Sequence, residues 1–249
     1  MLSIKLYNGD CLEIMKTIED KSIDLILCDL PYGTTANKWD EIIPLQPLWE
    51  QYKRICSGTI VLTAQTPFDK VLGASNLKWL RYEWIWQKEY STGFLNAKKT
   101  PLKSHENILV FYEKLKTYNP QMRLGFKPYV KKPKSNYTSS NYGKYEPNIR
   151  ISGGERYPLS ILNFSRDKDT IHPTQKPVAL MEYLIKTYTN ENETVLDNCM
   201  GSGTTGIACL NANRKFIGIE KDENYFNLAK NRIESYSPIN HSNLESFLN

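Results

Sequence analysis

The chain has 249 residues, of which 40% are hydrophobic, 12% aromatic and 24% charged, as expected for a globular protein with room for one α/β domain and an insertion. The N-terminus has no sustained apolar segment, and no apolar run approaches the roughly 18 residues of a membrane span, so neither secretion nor membrane spanning is predicted. Five cysteines without CxxC pairing predict reduced thiols in a cytosolic protein. Three widely separated histidines predict no metal site.

The net charge of +5 is unevenly distributed along the chain. Residues 114–156 carry ten basic and two acidic side chains, a local charge of +8, which leaves −3 for the rest of the chain. This asymmetry predicts that the segment meets a polyanion, with a solvated basic loop as the alternative.

The chain alternates helical and strand patterns up to residue 113. GDCLEIMKTI and PLQPLWEQYKRI have helical spacing, whereas SIDLILCDL, GTIVLTAQ, YEWIWQ and NILVFYE predict strands that are buried on both faces of a parallel sheet. A segment rich in Pro, Gly, Asn, Ser and Tyr follows and predicts a loop-rich insertion. Order resumes with a helix from Pro177 to about Tyr188, strand ETVLDN, glycine turn CMGSGTTG, helix ACLNANR, strand KFIGIE and helix ENYFNLAKNRIESY.

The glycine turn indicates a nucleotide-like ligand. It follows a strand that ends in Asp197 and places Gly201, Ser202 and Gly203 before a helix N-terminus, where the backbone can approach a ligand closely. The next strand ends in Glu220, a carboxylate that can accept hydrogen bonds from both hydroxyls of a ribose. A dinucleotide, S-adenosylmethionine or a simple tight turn remain open, although GSGTTG lacks the full G-x-G-x-x-G spacing.

The stretch DLPYG predicts a second site at the end of an apolar strand. Asp29 and the Leu30 carbonyl are two acceptors one residue apart, and they suit the two hydrogens of an exocyclic amino group. Pro31 biases Leu30 toward an extended conformation, Tyr32 offers a ring for stacking and Gly33 allows close approach. An ordinary strand-to-turn corner is the alternative.

Four elements in order resemble the β class of DNA amino-methyltransferases: DLPYG, the basic insertion, HPTQKP and LDNCMGSGTTG. The resemblance covers nearly all of the chain outside the insertion and the C-terminal tail. It implies a Rossmann-like α/β methyltransferase fold with a mostly parallel sheet, helices on both faces and a permuted motif order. Residues 1–113 and 171–249 would form the catalytic domain, and residues 114–170 a target-recognition insertion.

The resemblance also implies a mechanism and a set of site residues. Asp29, Leu30, Pro31 and Tyr32 would hold a flipped-out adenine for methylation at N6 without a metal. The implied contacts to S-adenosylmethionine are Asp197, Cys199, Gly201, Ser202, Gly203, Thr204, Thr205, Glu220, Lys176 and Thr174. The implied contacts to DNA are Lys127, Lys131, Lys132, Lys134, Tyr137 and Lys144. His105 and Glu106 are interpreted as supports of the sheet edge.

Two positions depart from the family pattern. Leu30 replaces a proline but keeps the backbone carbonyl, and Cys199 stands where an aromatic residue is frequent. Asp29 favours adenine, since cytosine-N4 enzymes often carry Ser there. The alternatives are a cytosine-N4 methyltransferase, a catalytically silent DNA-binding protein, an RNA or protein-glutamine methyltransferase and, least of all, a nicotinamide dehydrogenase.

The expected partner is double-stranded DNA, in the cytoplasm of a bacterial cell or a phage-infected host. A second copy of the chain and a cognate restriction endonuclease are further partners that the sequence leaves open.

Overall fold

The computed structural model describes residues 3–33, 41–132, 149–168 and 175–236. The chain forms two compact units, one of residues 1–119 with 160–249 and the other of residues 120–159. Within the described residues, no helix is both long enough and apolar enough to cross a bilayer.

Among the described residues, the larger unit is built on an eight-stranded sheet and the smaller unit has two strands. The strands are β1 (Ile4–Asn8), β2 (Ile23–Asp29), β3 (Cys56–Ala64), β4 (Leu80–Thr92), β5 (Lys103–Phe111), β6 (Tyr129–Lys131), β7 (Arg150–Ser152), β8 (Ile161–Asn163), β9 (Thr194–Asp197) and β10 (Lys215–Glu220). The spatial order in the large sheet is β1-β10-β9-β2-β3-β5-β4-β8.

The five neighbouring strands β1, β10, β9, β2 and β3 are parallel to one another. Strand β5 is antiparallel to both of its neighbours, β3 and β4. The prediction that YEWIWQ and NILVFYE lie in a parallel sheet is therefore wrong. These two strands, β4 and β5, are joined by residues 93–102 alone. Because parallel neighbours need a crossover of a dozen or more residues, this pair folds back as a hairpin instead.

Helices cover both faces of the sheet. They are α1 (Cys11–Met15), α2 (Leu45–Ile55), α3 (Phe68–Ser75), α4 (Val178–Tyr188), α5 (Thr204–Asn211) and α6 (Glu223–Glu234). In β2, Leu25 and Leu27 pack in the cluster that contains α4, α5 and α6, whereas Ile26 and Cys28 pack in the cluster that contains α1, α2 and α3. This alternation explains the continuous apolar run of β2. The predicted α/β fold with a mostly parallel sheet is confirmed.

The topology brings several acidic residues to one edge of the sheet. The parallel neighbours β10, β9 and β2 end at Glu220, Asp197 and Asp29, and Gly218 pairs with Asp197 in register. Because β5 runs in the opposite direction and its Asn107 pairs with Ala64 near the end of β3, Glu106 lies at the same edge.

The smaller unit contains the hairpin of β6 and β7, with Val130 opposite Ile151. Arg123 and Arg156 pair through their backbones, and both guanidinium carbons lie 5.2 Å from the centre of the Phe126 ring. Arg156 also lies 4.6 Å from the centre of the Tyr129 ring. Cation–π contacts of this kind contribute to the stability of the described part of the unit.

Candidate active site

Asp29 is surrounded by donors at the end of β2. Its Oδ1 accepts hydrogen bonds from the Tyr32 hydroxyl at 2.5 Å and from the Thr63 hydroxyl. Its Oδ2 accepts a hydrogen bond from the Lys176 ammonium. The predicted carboxylate therefore lies at the sheet edge with a fixed orientation.

A line of alternating charges extends from Asp29 into the protein. Lys176 Nζ lies 3.2 Å from Glu106 Oε2, and Lys88 Nζ lies 2.5 Å from Glu106 Oε1. Burial opposes ionisation of Glu106, but Lys176 and Lys88 outweigh it and lower the pKa of this carboxyl to about 2. Burial likewise opposes the charged form of Lys176, but Asp29 and Glu106 hold its pKa above the ordinary value. We refer to Asp29, Lys176, Glu106 and Lys88 as the charge line.

The corner after Asp29 is anchored by side-chain packing. The Leu30 side chain is buried in the cluster beneath β2. The Tyr32 ring stacks on Phe68, with 5.6 Å between ring centres and 28° between the planes. Burial of the leucine side chain can therefore supply the anchoring that the family's proline ring would give.

The glycine turn after β9 is held by Asp197 beneath it. Asp197 Oδ1 accepts a hydrogen bond from the Cys199 backbone N–H at 3.1 Å, and its Oδ2 accepts one from the Thr205 hydroxyl at 2.6 Å. Burial raises the pKa of Asp197 to about 6, although these hydrogen bonds lower it. Gly203 has φ +77°, and a Cβ there would lie 3.0 Å from Ile233, so glycine suits both the turn and the packing.

The hydroxyls of the turn are buried and hydrogen-bonded within the protein. Ser202 and Thr204 are buried, and Arg232 donates hydrogen bonds to the Ser202 carbonyl at 3.0 Å and the Thr204 hydroxyl at 3.2 Å. A Cβ built on Gly201 would meet no atom within 4 Å, so the turn is open at that residue. Access to the turn is therefore through the backbone at Gly201.

Glu220 has the acceptors that a ribose requires. Its Oε2 accepts a hydrogen bond from the Gly201 N–H and its Oε1 one from the Asp222 N–H, both at 2.9 Å. Each carboxylate oxygen has a second lone pair for a further donor. Burial raises the pKa of Glu220, but these backbone hydrogen bonds oppose that shift. The open turn and this acceptor fit the adenosine part of S-adenosylmethionine.

A cavity of about 710 Å³ opens beside the charge line in the larger unit. Its lining includes Gln65, Trp86, Lys88, Glu106, Arg166 and Gln175. Pockets for small ligands span roughly 300–1,000 Å³, so this cavity is large enough for a nucleobase.

The structure groups the predicted residues differently from the sequence. Lys176, assigned to the cofactor by resemblance, contacts Asp29 and Glu106, and Glu106 itself belongs to the charge line rather than only to the sheet edge. Lys127, Lys131 and Lys132 are exposed in the smaller unit. Thr174, Lys134, Tyr137 and Lys144 lie outside the described residues.

Thr63, Lys88 and Gln65 were missed by sequence analysis. The only signal for them was their position at strand ends on the ligand-binding edge.

Comparison with known proteins shows the family. Residues 23–231 match the model of the N6/N4 methyltransferases, described as DNA methylase. The DNA adenine methyltransferase YhdJ of Escherichia coli K12 is 29% identical, over 92% of this chain and 82% of the relative. The solved M1.HpyAVI–SAM complex is 30% identical, with a TM-score of 0.62 over 92% of this chain and 99% of the other.

The solved PvuII DNA methyltransferase, which is cytosine-N4-specific, has a TM-score of 0.71 over 98% of this chain and 90% of the other. At 14% identity this likeness confirms the fold alone. The predicted resemblance and cofactor are confirmed: the protein belongs to the N6/N4 DNA methylase family, whose methyl donor is S-adenosylmethionine.

Proposed function

We propose that this DNA methylase transfers its methyl group to N6 of adenine. The observation that carries the proposal is the placement of Asp29, whose carboxylate is held beside Leu30 and Tyr32 on the edge that also carries Gly201 and Glu220. An aspartate at this position favours adenine, and the E. coli relative is named as an adenine enzyme.

The residues suit attack by an amino nitrogen whose lone pair is delocalised into the base. Asp29 and the Leu30 carbonyl accept its two hydrogens, which directs the lone pair out of the ring plane. When bound, S-adenosylmethionine supplies an electrophilic methyl group on a sulfonium. The nitrogen forms its bond to this carbon as the carbon–sulfur bond breaks, the electron pair stays on sulfur, and one N–H proton leaves through Asp29 to water. Positioning and electrostatics supply most of the acceleration.

Product analysis tests this proposal. The full chain is incubated with duplex DNA and S-adenosylmethionine carrying a deuterated methyl group, and the DNA is digested to nucleosides for mass spectrometry. We expect labelled N6-methyldeoxyadenosine. N4-methyldeoxycytidine as the only product would contradict the adenine assignment, and cofactor binding without any methylated DNA would indicate a silent DNA-binding protein.

We also propose that the insertion contacts the DNA backbone. Lys127, Lys131 and Lys132 are exposed there, in the most basic part of the chain. Replacing Lys131 and Lys132 with alanine should reduce the slope of log affinity against log salt by about 2, roughly 0.9 for each phosphate contact. The matched control replaces the exposed Lys215 and Lys230 of the larger unit. Equal slopes for the two double variants would contradict this role.

A further inference from the structure

Three side chains already donate to the Asp29 carboxylate in this structure. Oδ1 receives the hydroxyls of Tyr32 and Thr63, and Oδ2 receives the ammonium of Lys176. If Asp29 accepts a hydrogen from the target amino group, as the proposed function requires, that hydrogen needs an oxygen lone pair with suitable direction. Because Oδ1 already has two donors, the hydrogen has to approach Oδ2, where Lys176 is the present donor.

Lys176 is the donor with a second acceptor in reach. Its side chain is 6% exposed, and Nζ lies 3.2 Å from Glu106 Oε2, although this oxygen accepts no hydrogen bond from the described residues. The contact is an ion pair without a hydrogen bond. A small rotation of the lysine side chain would direct an N–H group at this oxygen.

Glu106 is fixed through its other oxygen. Oε1 receives Lys88 at 2.5 Å and Gln65 at 2.9 Å, and the Glu106 side chain is 7% exposed. Lys88 is itself buried, so this clamp is not in competition with water. The unused oxygen is therefore presented toward Lys176 at a fixed position.

We propose that Lys176 has two alternative positions, one hydrogen-bonded to Asp29 Oδ2 and one hydrogen-bonded to Glu106 Oε2, and that the target amino group takes its place on Asp29. This inference rests on the proposed function, because it assigns the step by which the amino group gains access to Asp29. Glu106 acts through Lys176 and is thus a positioning residue.

The charges explain why Glu106 is needed. A buried ammonium that leaves one carboxylate without reaching another is strongly disfavoured. With two carboxylates and two ammonium groups, the charge line keeps a net charge of zero in both positions of Lys176.

The test compares Glu106→Gln with Glu83→Gln, the same change at an exposed residue of β4. Single-turnover methylation, the dissociation constant for S-adenosylmethionine and Tm are measured for both. We expect Glu106→Gln to slow methylation by about 10- to 100-fold, because Lys176 loses its second anion, while cofactor affinity stays near wild type. Tm should fall as well, because the buried Lys88 loses its ion-pair partner. A rate equal to that of Glu83→Gln, or a loss of cofactor affinity as large as the loss of rate, would overturn the proposal.

A double variant tests the proposal through an increase in the methylation rate instead of a decrease. Adding Lys176→Gln to Glu106→Gln removes the cation that holds Asp29, so the double variant should methylate faster than Glu106→Gln alone. A folded double variant that is equally slow or slower would overturn the two-position assignment. If the double variant does not fold, the comparison of the two single variants decides. Wild-type activity in the same assay separates the two proposals, since no product from wild type would refute the proposed function itself.

Discussion

The glycine turn after β9 and the carboxylate at the end of β2 lie on the same sheet edge, but they are held in different ways. The hydrogen bonds described above for Asp197 and Glu220 come from three backbone N–H groups and one hydroxyl within residues 199–222. Asp29 is bound by the nearby Tyr32 and by two side chains from distant parts of the chain, Thr63 at 34 residues and Lys176 at 147 residues. A local segment thus shapes the cofactor side, whereas tertiary folding assembles the amino-acceptor side. Substitutions on the amino-acceptor side should therefore lower the methylation rate, and substitutions on the cofactor side should lower the affinity for S-adenosylmethionine.

The largest effect is expected from Asp29→Ala. The amino group loses its carboxylate acceptor, so we expect single-turnover methylation to fall about 10³-fold while the dissociation constant for S-adenosylmethionine stays within about twofold. Asp20→Ala, at an exposed carboxylate, is the control. A parallel loss of cofactor affinity would mean that the two sides are not separable.

The buried Asp197 should produce a pH effect on stability. Its folded pKa of about 6 lies above the reference value of 3.8, so between pH 4 and pH 6 the folded state binds more protons than the unfolded state. The free energy of unfolding contributed by this group therefore falls as pH rises through that window. Relative to Asp197→Asn, the wild type should lose about 2 kcal/mol between pH 4 and pH 6.

Denaturant titrations at both pH values measure that difference. If the free energy of unfolding changed with pH equally in wild type and Asp197→Asn, burial would not raise the pKa of this carboxyl group.

A smaller effect is expected from Glu220→Ala. Loss of the ribose acceptor and of the Gly201 tether should weaken S-adenosylmethionine binding by about 10- to 100-fold, as expected for hydrogen bonds to a charged group. Calorimetry measures the change, with exposed Glu223→Ala as control. Methylation at saturating cofactor should recover most of its rate, and an unchanged dissociation constant would refute the ribose assignment.

The smallest effect on activity is expected from Leu30→Pro. Because the leucine side chain is anchored in the core, the carbonyl of this residue does not depend on a proline ring, and the methylation rate should change by no more than about threefold. A tenfold or larger increase would show that leucine leaves the corner too loose. Single-turnover methylation measures this rate for both proteins.

The local motifs could be predicted from sequence, and the tertiary contacts could not. Alternating burial in β2 and the glycine turn leave periodic or compositional signals, so the fold class and the positions of Asp29 and Glu220 at strand ends followed directly. Whether β4 and β5 pair as parallel or antiparallel strands depends on the length of their connection. The charge line depends on which strand ends meet, so Glu106 could not be assigned by pattern alone. Helix α3 and the short strands β1 and β8 were also missed.

The neutrality and burial of the charge line have a consequence for ionic strength. Mobile ions screen exposed charges over a Debye length of about 8 Å at physiological salt, but they act weakly on pairs that are excluded from solvent. The exposed lysines of the smaller unit belong to the first group, and Lys176 with Glu106 belongs to the second. Salt should therefore govern how often the enzyme meets DNA, while leaving the rate within the assembled complex nearly constant.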